Sequence, residues 1–136
     1  MFRSIRRKRQ VLPEQKCLEI LKGGEYGVLA VHGDDGYPYA VPLNYVYSDG
    51  TIYFHSAKTG HKVDAIVRDG KASFCVVDKS DLVPEKFTTF YRSVIAFGTI
   101  RIVEKHDDRT KALNSLVEAL SPDEPEESKR SEMDLC

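Results

Sequence analysis

The spacing of apolar residues predicts a run of antiparallel strands in the first half of the chain. The side chains of 51–56 alternate between the two faces of a strand with the period of two that strands require, and 26–32 and 37–47 are runs rich in apolar and aromatic residues that also predict strands. The turn sequences GDDG and SDG separate these segments and predict hairpin connections. Pro42 lies inside the second segment, and because proline cannot donate to a sheet, it predicts a bulge or an edge there. The three strands are expected to form a meander.

Three other segments show the helical spacing of apolar residues. A first helix is predicted from about 13 to 22, where a proline suits the helix start and two glycines follow its end. A second helix is predicted over 60–69, with Thr59 as its N-cap, and a third over 107–120. Each of the later two has an apolar stripe that predicts packing against a sheet.

The remaining extended segments complete the predicted sheet. A fourth strand is expected at 71–78, followed by a loop at 79–86 and then by a long or bent strand at 87–104, in which Gly98 predicts a bulge. Antiparallel strands dominate, and the helices serve as connections and covers. The predicted fold class is mainly β (α+β), a small antiparallel barrel with flanking helices in one domain that spans 1–136.

Composition narrows the class of protein. The chain has 136 residues, a net charge of −1 and 30% charged residues, so it has no general attraction to nucleic acid or to a membrane. No segment approaches the ~20 consecutive apolar residues of a membrane span. Its three separated cysteines fit neither a disulfide framework nor a metal spacing, so we expect a cytoplasmic protein without a metal. The basic 1–10 and acidic 122–136 are interpreted as solvated tails.

The start of the second predicted helix carries an unusual group of cations. Lys58, His61 and Lys62 lie there, although the positive end of a helix dipole favours acidic residues. Free N–H groups at a helix start bind anions, and Ser56 and Thr59 add hydroxyl donors. The alternative is a set of solvent-facing residues with a small electrostatic cost. The pattern indicates a phosphate site, although it has the glycine spacing of neither a P-loop nor a dinucleotide-binding turn.

The strand interrupted by Pro42 is a second candidate feature. In AVPLNYVY, apolar and aromatic side chains surround a proline that frees neighbouring backbone groups from regular pairing. A planar heterocycle needs an apolar slot for its faces and backbone groups for its edge. The alternative is an ordinary edge strand. Together with a phosphate site one strand away, this feature suggests an aromatic ring with a phosphorylated tail, for which FMN is the candidate.

Five segments together resemble the pyridoxamine 5'-phosphate oxidase-like flavin-binding proteins, and more closely their nitroimidazole-resistance branch. The segments, which occur in order over about 6–122, are YGVLA, DGYPYAVPLNYVY, IYFHSAKTGHKVDAI, ASFCVV and VPEKFTTFYRSVI. The resemblance implies a split β-barrel that forms a homodimer with FMN at the subunit interface. It also implies an active-site histidine at His55. The cofactor-binding residues that it implies are Val41, Pro42, Leu43, Asn44, Ser56, Lys58, His61, Lys62, Thr89, Tyr91 and Arg92.

The resemblance assigns these residues to three parts of the cofactor site. The first four, over 41–44, would line the isoalloxazine ring, and the four between 56 and 62 would hold the phosphate. Thr89, Tyr91 and Arg92 would reach the flavin of the partner chain. The sequence lacks the C-terminal arginine-bearing substrate motif of true pyridoxamine phosphate oxidases, so vitamin B6 chemistry is not expected. It also stops at Cys136, where relatives continue into a further strand.

Three functions remain open at this stage. The first is an FMN-dependent reductase of nitroaromatic or related small compounds, and the second is a non-catalytic flavin-binding or storage protein. The third is a haem- or deazaflavin-binding relative, since fold does not fix function. Nitro reduction consumes protons, so His55 is expected to deliver a proton or to orient the substrate. The alternative is that His55 is a buried structural histidine whose ring N–H donates a hydrogen bond to a backbone carbonyl.

Overall fold

The secondary structure follows the predicted order with different boundaries. The structure is a computed structural model that describes residues 3–57, 59–86 and 88–120, without the side chains of 79–83, 86, 88–90, 119 and 120. Its helices are α1 (Glu14–Gly23), α2 (His61–Arg68) and α3 (His106–Leu120). Its strands are β1 (Tyr26–His32), β2 (Pro38–Asn44), β3 (Val46–Ser48), β4 (Thr51–Tyr53), β5 (Lys71–Val83) and β6 (Thr88–Thr99).

The strands form two antiparallel sheets. The larger sheet has the order β2-β1-β5-β6, and β3 pairs with β4 in a separate hairpin. Pro42 lies opposite Val28 in β2, which is an edge strand, as a residue without an N–H requires. The predicted antiparallel α+β fold of the split-barrel type with flanking helices is confirmed. Over the described residues, the two sheets are not joined into a closed barrel.

The core lies on one face of the larger sheet, which we call the inner face. Its buried side chains come from alternate positions of β1, β5 and β6, and α1 packs across them through Ile20 and Leu21. Ala65 of α2 is also buried in this cluster. The inner-face residues are Leu29, Val31, Phe74, Val76 and Val94. These residues follow the period of two that the two faces of a sheet require.

The long strand predicted at 37–47 is wrong, because it is interrupted at Tyr45. Only 1% of the surface of Tyr45 is exposed, and its hydroxyl donates a 2.6 Å hydrogen bond to the carbonyl of Leu21 at the end of α1. Its ring meets Phe74 edge-on at 5.0 Å. The chain turns Tyr45 into the core, so β2 ends before it and β3 starts a new hairpin. That hairpin turns through Asp49 and Gly50, both with positive φ, as tight turns of this length require.

The bulge predicted at Gly98 is also wrong. Gly98 pairs in register with Ala72, and the register shift lies between Val77 and Lys79. The extra residue, Asp78, forms an ion pair with Arg92 of the neighbouring strand. A cross-strand ion pair at a polar residue, rather than the flexibility of glycine, therefore accompanies this bulge.

Three predicted boundaries differ from the structure. β5 continues through the predicted loop to Val83, and β6 ends at Thr99 rather than at 104. The strand predicted at 51–56 ends at Tyr53. The length of a strand depends on the partner strand with which it pairs, which local sequence does not reveal. Pairing with β6 extends β5 to Val83, and in the described residues the pairing of β6 ends at Thr99 and that of β4 at Tyr53.

The N-cap predicted at Thr59 is wrong as well. The N-cap of α2 is Gly60, with φ 135°, and no side chain caps the helix start. A φ of this kind favours glycine. The N-cap is therefore one residue later than Thr59, whose hydroxyl led to the prediction.

Candidate functional site

The predicted ring-binding residues of β2 do not share one face of the strand. Val41 and Leu43 pack against the core, whereas Pro42 and Asn44 are exposed on the opposite face. The side-chain amide of Asn44 donates a 3.1 Å hydrogen bond to the carbonyl of Glu25. The strand therefore offers an apolar pair on one side and a polar edge on the other.

The start of α2 carries the donors that an anion site needs. The first helical hydrogen bond runs from the N–H of Asp64 to the carbonyl of Gly60, so the N–H groups of 61–63 have no partner within the helix. Lys62 is half-buried beside these N–H groups. Ser56 is also half-buried, and its hydroxyl donates to the carbonyl of Ala57 at 3.0 Å. Lys58 lies outside the described residues.

His61 faces the turn that joins β1 and β2. Its Nε2 lies 3.7 Å from Oδ2 of Asp34, and its ring centroid is 4.1 Å from that of Tyr39, with 31° between the planes. Arg68, two turns further along α2, donates to Oδ1 of Asp34 at 3.1 Å. Sequence reasoning missed Asp34 and Tyr39, because contact between a turn and a distant helix leaves no local pattern.

Tyr91 and Arg92 lie side by side on β6 and point to opposite faces. Tyr91 is exposed, whereas Arg92 is half-buried and paired with Asp78. The Nε of Arg92 is buried and has no hydrogen-bond acceptor among the described residues. A buried donor of this kind is costly unless an acceptor reaches it. The backbone of Thr89 pairs with Leu82, and its side chain lies outside the description.

His55 lines a pocket of about 560 Å³. The walls come from the segments 51–57 and 99–104 and from one face each of α2 and α3. Isoleucine, leucine and valine are the commonest residues of the lining, Arg101 and Arg109 add positive charge, and Glu104 adds one negative charge. Besides His55, Ser56 is the one predicted site residue in this lining among the described residues. The size and the mixed lining are typical of sites for small organic molecules.

The face of the larger sheet opposite the core, which we call the outer face, is apolar and exposed. One row of paired residues crosses it from Pro42 through Val28 and Cys75 to Ile95. Ile95 is 55% exposed. Other large exposed residues on this face are Val77, Tyr91 and Phe97. An exposed apolar surface of this kind is unusual for a monomer and is typical of interaction surfaces.

Neither a metal-binding cluster nor a membrane-spanning helix is seen in the described part of the chain. It contains no group of three or more His, Cys, Asp or Glu side chains that could hold a metal ion. None of its helices combines the length and the apolar character that crossing a membrane demands.

This fold, with its antiparallel sheets and flanking helices, defines a protein of the split-barrel class. The chain belongs to the pyridoxamine 5'-phosphate oxidase family, whose profile matches residues 13–135. The family resemblance seen in the sequence is therefore confirmed. Among curated proteins, none is significantly similar to this chain.

Solved structures of the same fold include a candidate resistance protein, a flavin-binding protein and a flavocytochrome. A candidate 5-nitroimidazole antibiotic resistance protein from Bacteroides thetaiotaomicron is 20% identical, with a TM-score of 0.74 over 92% of this chain and 76% of its own. A FAD-binding protein from Mesorhizobium loti is 24% identical, with a TM-score of 0.65 over 82% and 75%. The flavocytochrome Anf3 from Azotobacter vinelandii is 17% identical, with a TM-score of 0.77 over 96% and 64%. At these identities the likeness establishes the fold.

Proposed function

We propose that the protein is an FMN-dependent oxidoreductase that reduces small compounds, with nitroimidazoles or other nitroaromatic compounds as its substrate class. The observation that carries this proposal is the pocket of about 560 Å³ beside His55, which is large enough for a small aromatic molecule. The lining of this pocket contains none of the residues 41–44 that are proposed to border the flavin ring, and a protein that merely stores flavin has no need of such additional space. Family membership and the structural likeness to a candidate nitroimidazole resistance protein support the same function.

The residues present fit a phosphorylated flavin. The unpartnered N–H groups of α2 and the cations Lys58, His61 and Lys62 suit the phosphate. The apolar pair Val41 and Leu43, together with Pro42 and Asn44, is proposed to border the ring. The buried Nε–H of Arg92 needs an acceptor, which the cofactor can supply, and Thr89 and Tyr91 precede it on the same strand. When bound, FMN supplies the transfer of electrons from a reduced donor.

His55 is proposed to act as the proton donor. Conversion of a nitro group to a nitroso group takes up two electrons and two protons and releases water. His55 lines the pocket, and a histidine changes its protonation state near neutral pH. The positive charge of Arg101 and Arg109 suits the oxygen atoms of a nitro compound, which carry partial negative charge. In this proposal Arg101 and Arg109 orient the substrate, His55 protonates it, and the apolar wall contacts its ring.

A homodimer with flavin at the subunit interface is part of this proposal. The outer face is apolar over β1, β5 and β6, and a second copy related by a two-fold axis would cover it. Tyr91 lies on this face, beside the half-buried Arg92. Pairing of two copies would bring the exposed Tyr91 towards the partner's cofactor and would enclose more of the ring than one chain can.

The function is tested with purified protein, oxidised and reduced. Its absorption spectrum distinguishes flavin from haem and from deazaflavin, and extraction of the bound flavin distinguishes FMN from FAD. Bleaching by a reduced nicotinamide without oxygen, followed by reoxidation on addition of a nitroimidazole, is the expected result. Bound flavin that is not reoxidised by nitro compounds would identify a storage protein instead, and a haem spectrum would refute the FMN proposal.

The role of His55 is tested in the same assay. His55→Ala is expected to retain FMN and to lower turnover at least about tenfold if it is a general acid. The exposed His106 at the start of α3 does not line the pocket, so His106→Ala is the matched control. Unchanged turnover in a flavin-loaded His55→Ala protein would remove His55 from the mechanism, whereas loss of flavin would make it a cofactor ligand.

A further inference from the structure

The contact between α2 and the turn joining β1 to β2 centres on one carboxylate. Asp34 lies 3.7 Å from Nε2 of His61 through one oxygen and 3.1 Å from Nη2 of Arg68 through the other. His61 and Arg68 are seven residues apart, so they lie on the same face of the helix, two turns from each other. Asp34 therefore holds the helix at both of its ends.

The turn that carries Asp34 is fixed against the helix. The N–H of Gly33 donates to the carbonyl of Tyr37 at 2.9 Å, and the N–H of Tyr37 donates to that of Asp34 at 3.0 Å. A Cβ at Gly33 would lie 2.7 Å from the Tyr37 carbonyl oxygen and 3.3 Å from Nε2 of His61. Because this approach leaves no room for a side chain, the turn and the first turn of α2 are closely packed.

His61 connects this turn to the strand that is proposed to border the flavin ring. Its ring packs on Tyr39, two residues before Val41 in β2, at a centroid distance of 4.1 Å. The same residue lies in the first turn of α2, where the phosphate site is proposed. The orientation of His61 therefore sets the spacing between the two parts of the cofactor site.

We propose that Asp34 is a positioning residue for the phosphate end of the cofactor: it holds His61 and Arg68 so that the start of α2 keeps a fixed distance from β2. This inference rests on the proposed FMN site. Exposed ion pairs contribute little to stability, so the role of Asp34 is orientation rather than folding. The three side chains are 66%, 38% and 46% exposed for Asp34, His61 and Arg68.

The substitution Asp34→Asn separates a positioning role for Asp34 from a simple effect of its charge, because the two predict opposite changes in FMN affinity. A carboxylate near an anion site repels phosphate, so Asp34→Asn would tighten FMN binding if charge alone mattered. If Asp34 positions His61, the same substitution weakens FMN binding, because the neutral amide makes weaker contacts with the guanidinium of Arg68 and the ring of His61. The sign of the change therefore separates the two effects.

The experiment compares FMN with riboflavin, which has the same ring and no phosphate. Asp34→Asn is expected to raise the Kd for FMN about tenfold, as loss of charge-assisted contacts does, and to leave the Kd for riboflavin unchanged. Asp35→Asn is the matched control, since it removes the same charge from the same turn and asparagine tolerates the φ of 56° found there. Asp35→Asn is expected to change neither Kd.

Three outcomes would overturn the role of Asp34. These are FMN binding in Asp34→Asn that is as tight as or tighter than in the wild type, equal loss of FMN and riboflavin, and an equal effect of Asp35→Asn. Lys62→Glu tests the phosphate site itself and is expected to weaken FMN alone, because it places like charge against the phosphate. If Lys62→Glu leaves FMN affinity unchanged, the proposed cofactor placement fails. If it weakens FMN and Asp34→Asn does not, the inference about Asp34 fails alone.

Discussion

Both faces of the four-stranded sheet carry large apolar side chains, but the two faces differ in what covers them. On the inner face, Phe74 and Val94 are buried beneath α1, whereas on the outer face Val28, Val77 and Ile95 are exposed. Strands that cover a core on one side and meet water on the other alternate apolar with polar residues, but here the outer face carries large apolar residues among its polar ones. The inner face therefore stabilises the folded chain, whereas the outer face is suited to a partner.

The largest expected effect is on the inner face. Phe74→Ala removes a ring that contacts Tyr45 edge-on and lies parallel to Phe54 at 6.0 Å, and it is expected to lower the free energy of unfolding by about 3–5 kcal/mol. Urea unfolding monitored by circular dichroism measures this. Ile95→Ala, on the outer face, should cost far less at protein concentrations where the chain is monomeric. Equal losses in the two variants would show that both faces belong to the folding core.

The next effect concerns the outer face and the proposed dimer. Ile95→Lys places a charge in the middle of the apolar row and is expected to raise the dimer dissociation constant at least about 100-fold, as loss of a central interface residue does. Sedimentation velocity over a range of concentrations measures this constant. Val11→Lys, an exposed aliphatic residue before α1, is the control and should leave it unchanged. A wild-type monomer that binds flavin would refute the pairing of two copies.

Substitutions of two adjacent glycines, Gly23 and Gly24, are expected to change stability by smaller amounts and in opposite directions. A Cβ on Gly24 would overlap the hydroxyl of Tyr45 and press on Val76 at 3.1 Å, so Gly24→Ala is expected to cost about 1–3 kcal/mol. A Cβ on Gly23, the last residue of α1, meets nothing within 4 Å. Gly23→Ala is therefore expected to stabilise the protein by about 0.5–1 kcal/mol. Thermal unfolding of both variants would show a shift in the same direction if α1 did not pack on the inner face.

The elements that local pattern determines were predictable from the sequence. Helix α1 spans Glu14–Gly23, close to the predicted 13–22, and β1 spans Tyr26–His32, the predicted range. The cations at the start of α2 were also found, because a helix start and its charges lie within a few residues of each other. The strands of the sheet could be predicted from the sequence, but what covers each of its two faces could not.

Features that depend on distant contacts were not predictable. The strand break at Tyr45 depends on a carbonyl 24 residues earlier, and the bulge at Asp78 on an arginine 14 residues later. The pocket beside His55 needs α3 and the segment 99–104, which come together through the fold alone. Local periodicity has no information on such contacts, so the chemistry near His55 could be proposed while the shape of its pocket could not.

The smallest effect concerns the residue that joins α1 to the inner face. Burial raises the pKa of Tyr45 from 10.0 to about 12. Above pH 10 the unfolded chain loses this proton while the folded chain keeps it, so the contribution of Tyr45 to stability is complete below pH 10 and is lost as the pH rises to about 12. Tyr45→Phe removes this part of the alkaline loss. At neutral pH it costs about 1–2 kcal/mol, because the buried carbonyl of Leu21 then has no donor from Tyr45.

Chemical unfolding of both proteins at several pH values between about 8 and 12 tests this prediction. The free energy of unfolding of the wild type should fall more steeply with rising pH than that of Tyr45→Phe, and the two should converge at the alkaline end. Tyr37 is 75% exposed, so Tyr37→Phe should follow the wild-type slope and serves as the control. Parallel slopes for wild type and Tyr45→Phe would mean that the phenol of Tyr45 ionises equally in both states. In that case the inner face would admit water at this residue, and its contrast with the outer face would be smaller than the burial of Tyr45 indicates.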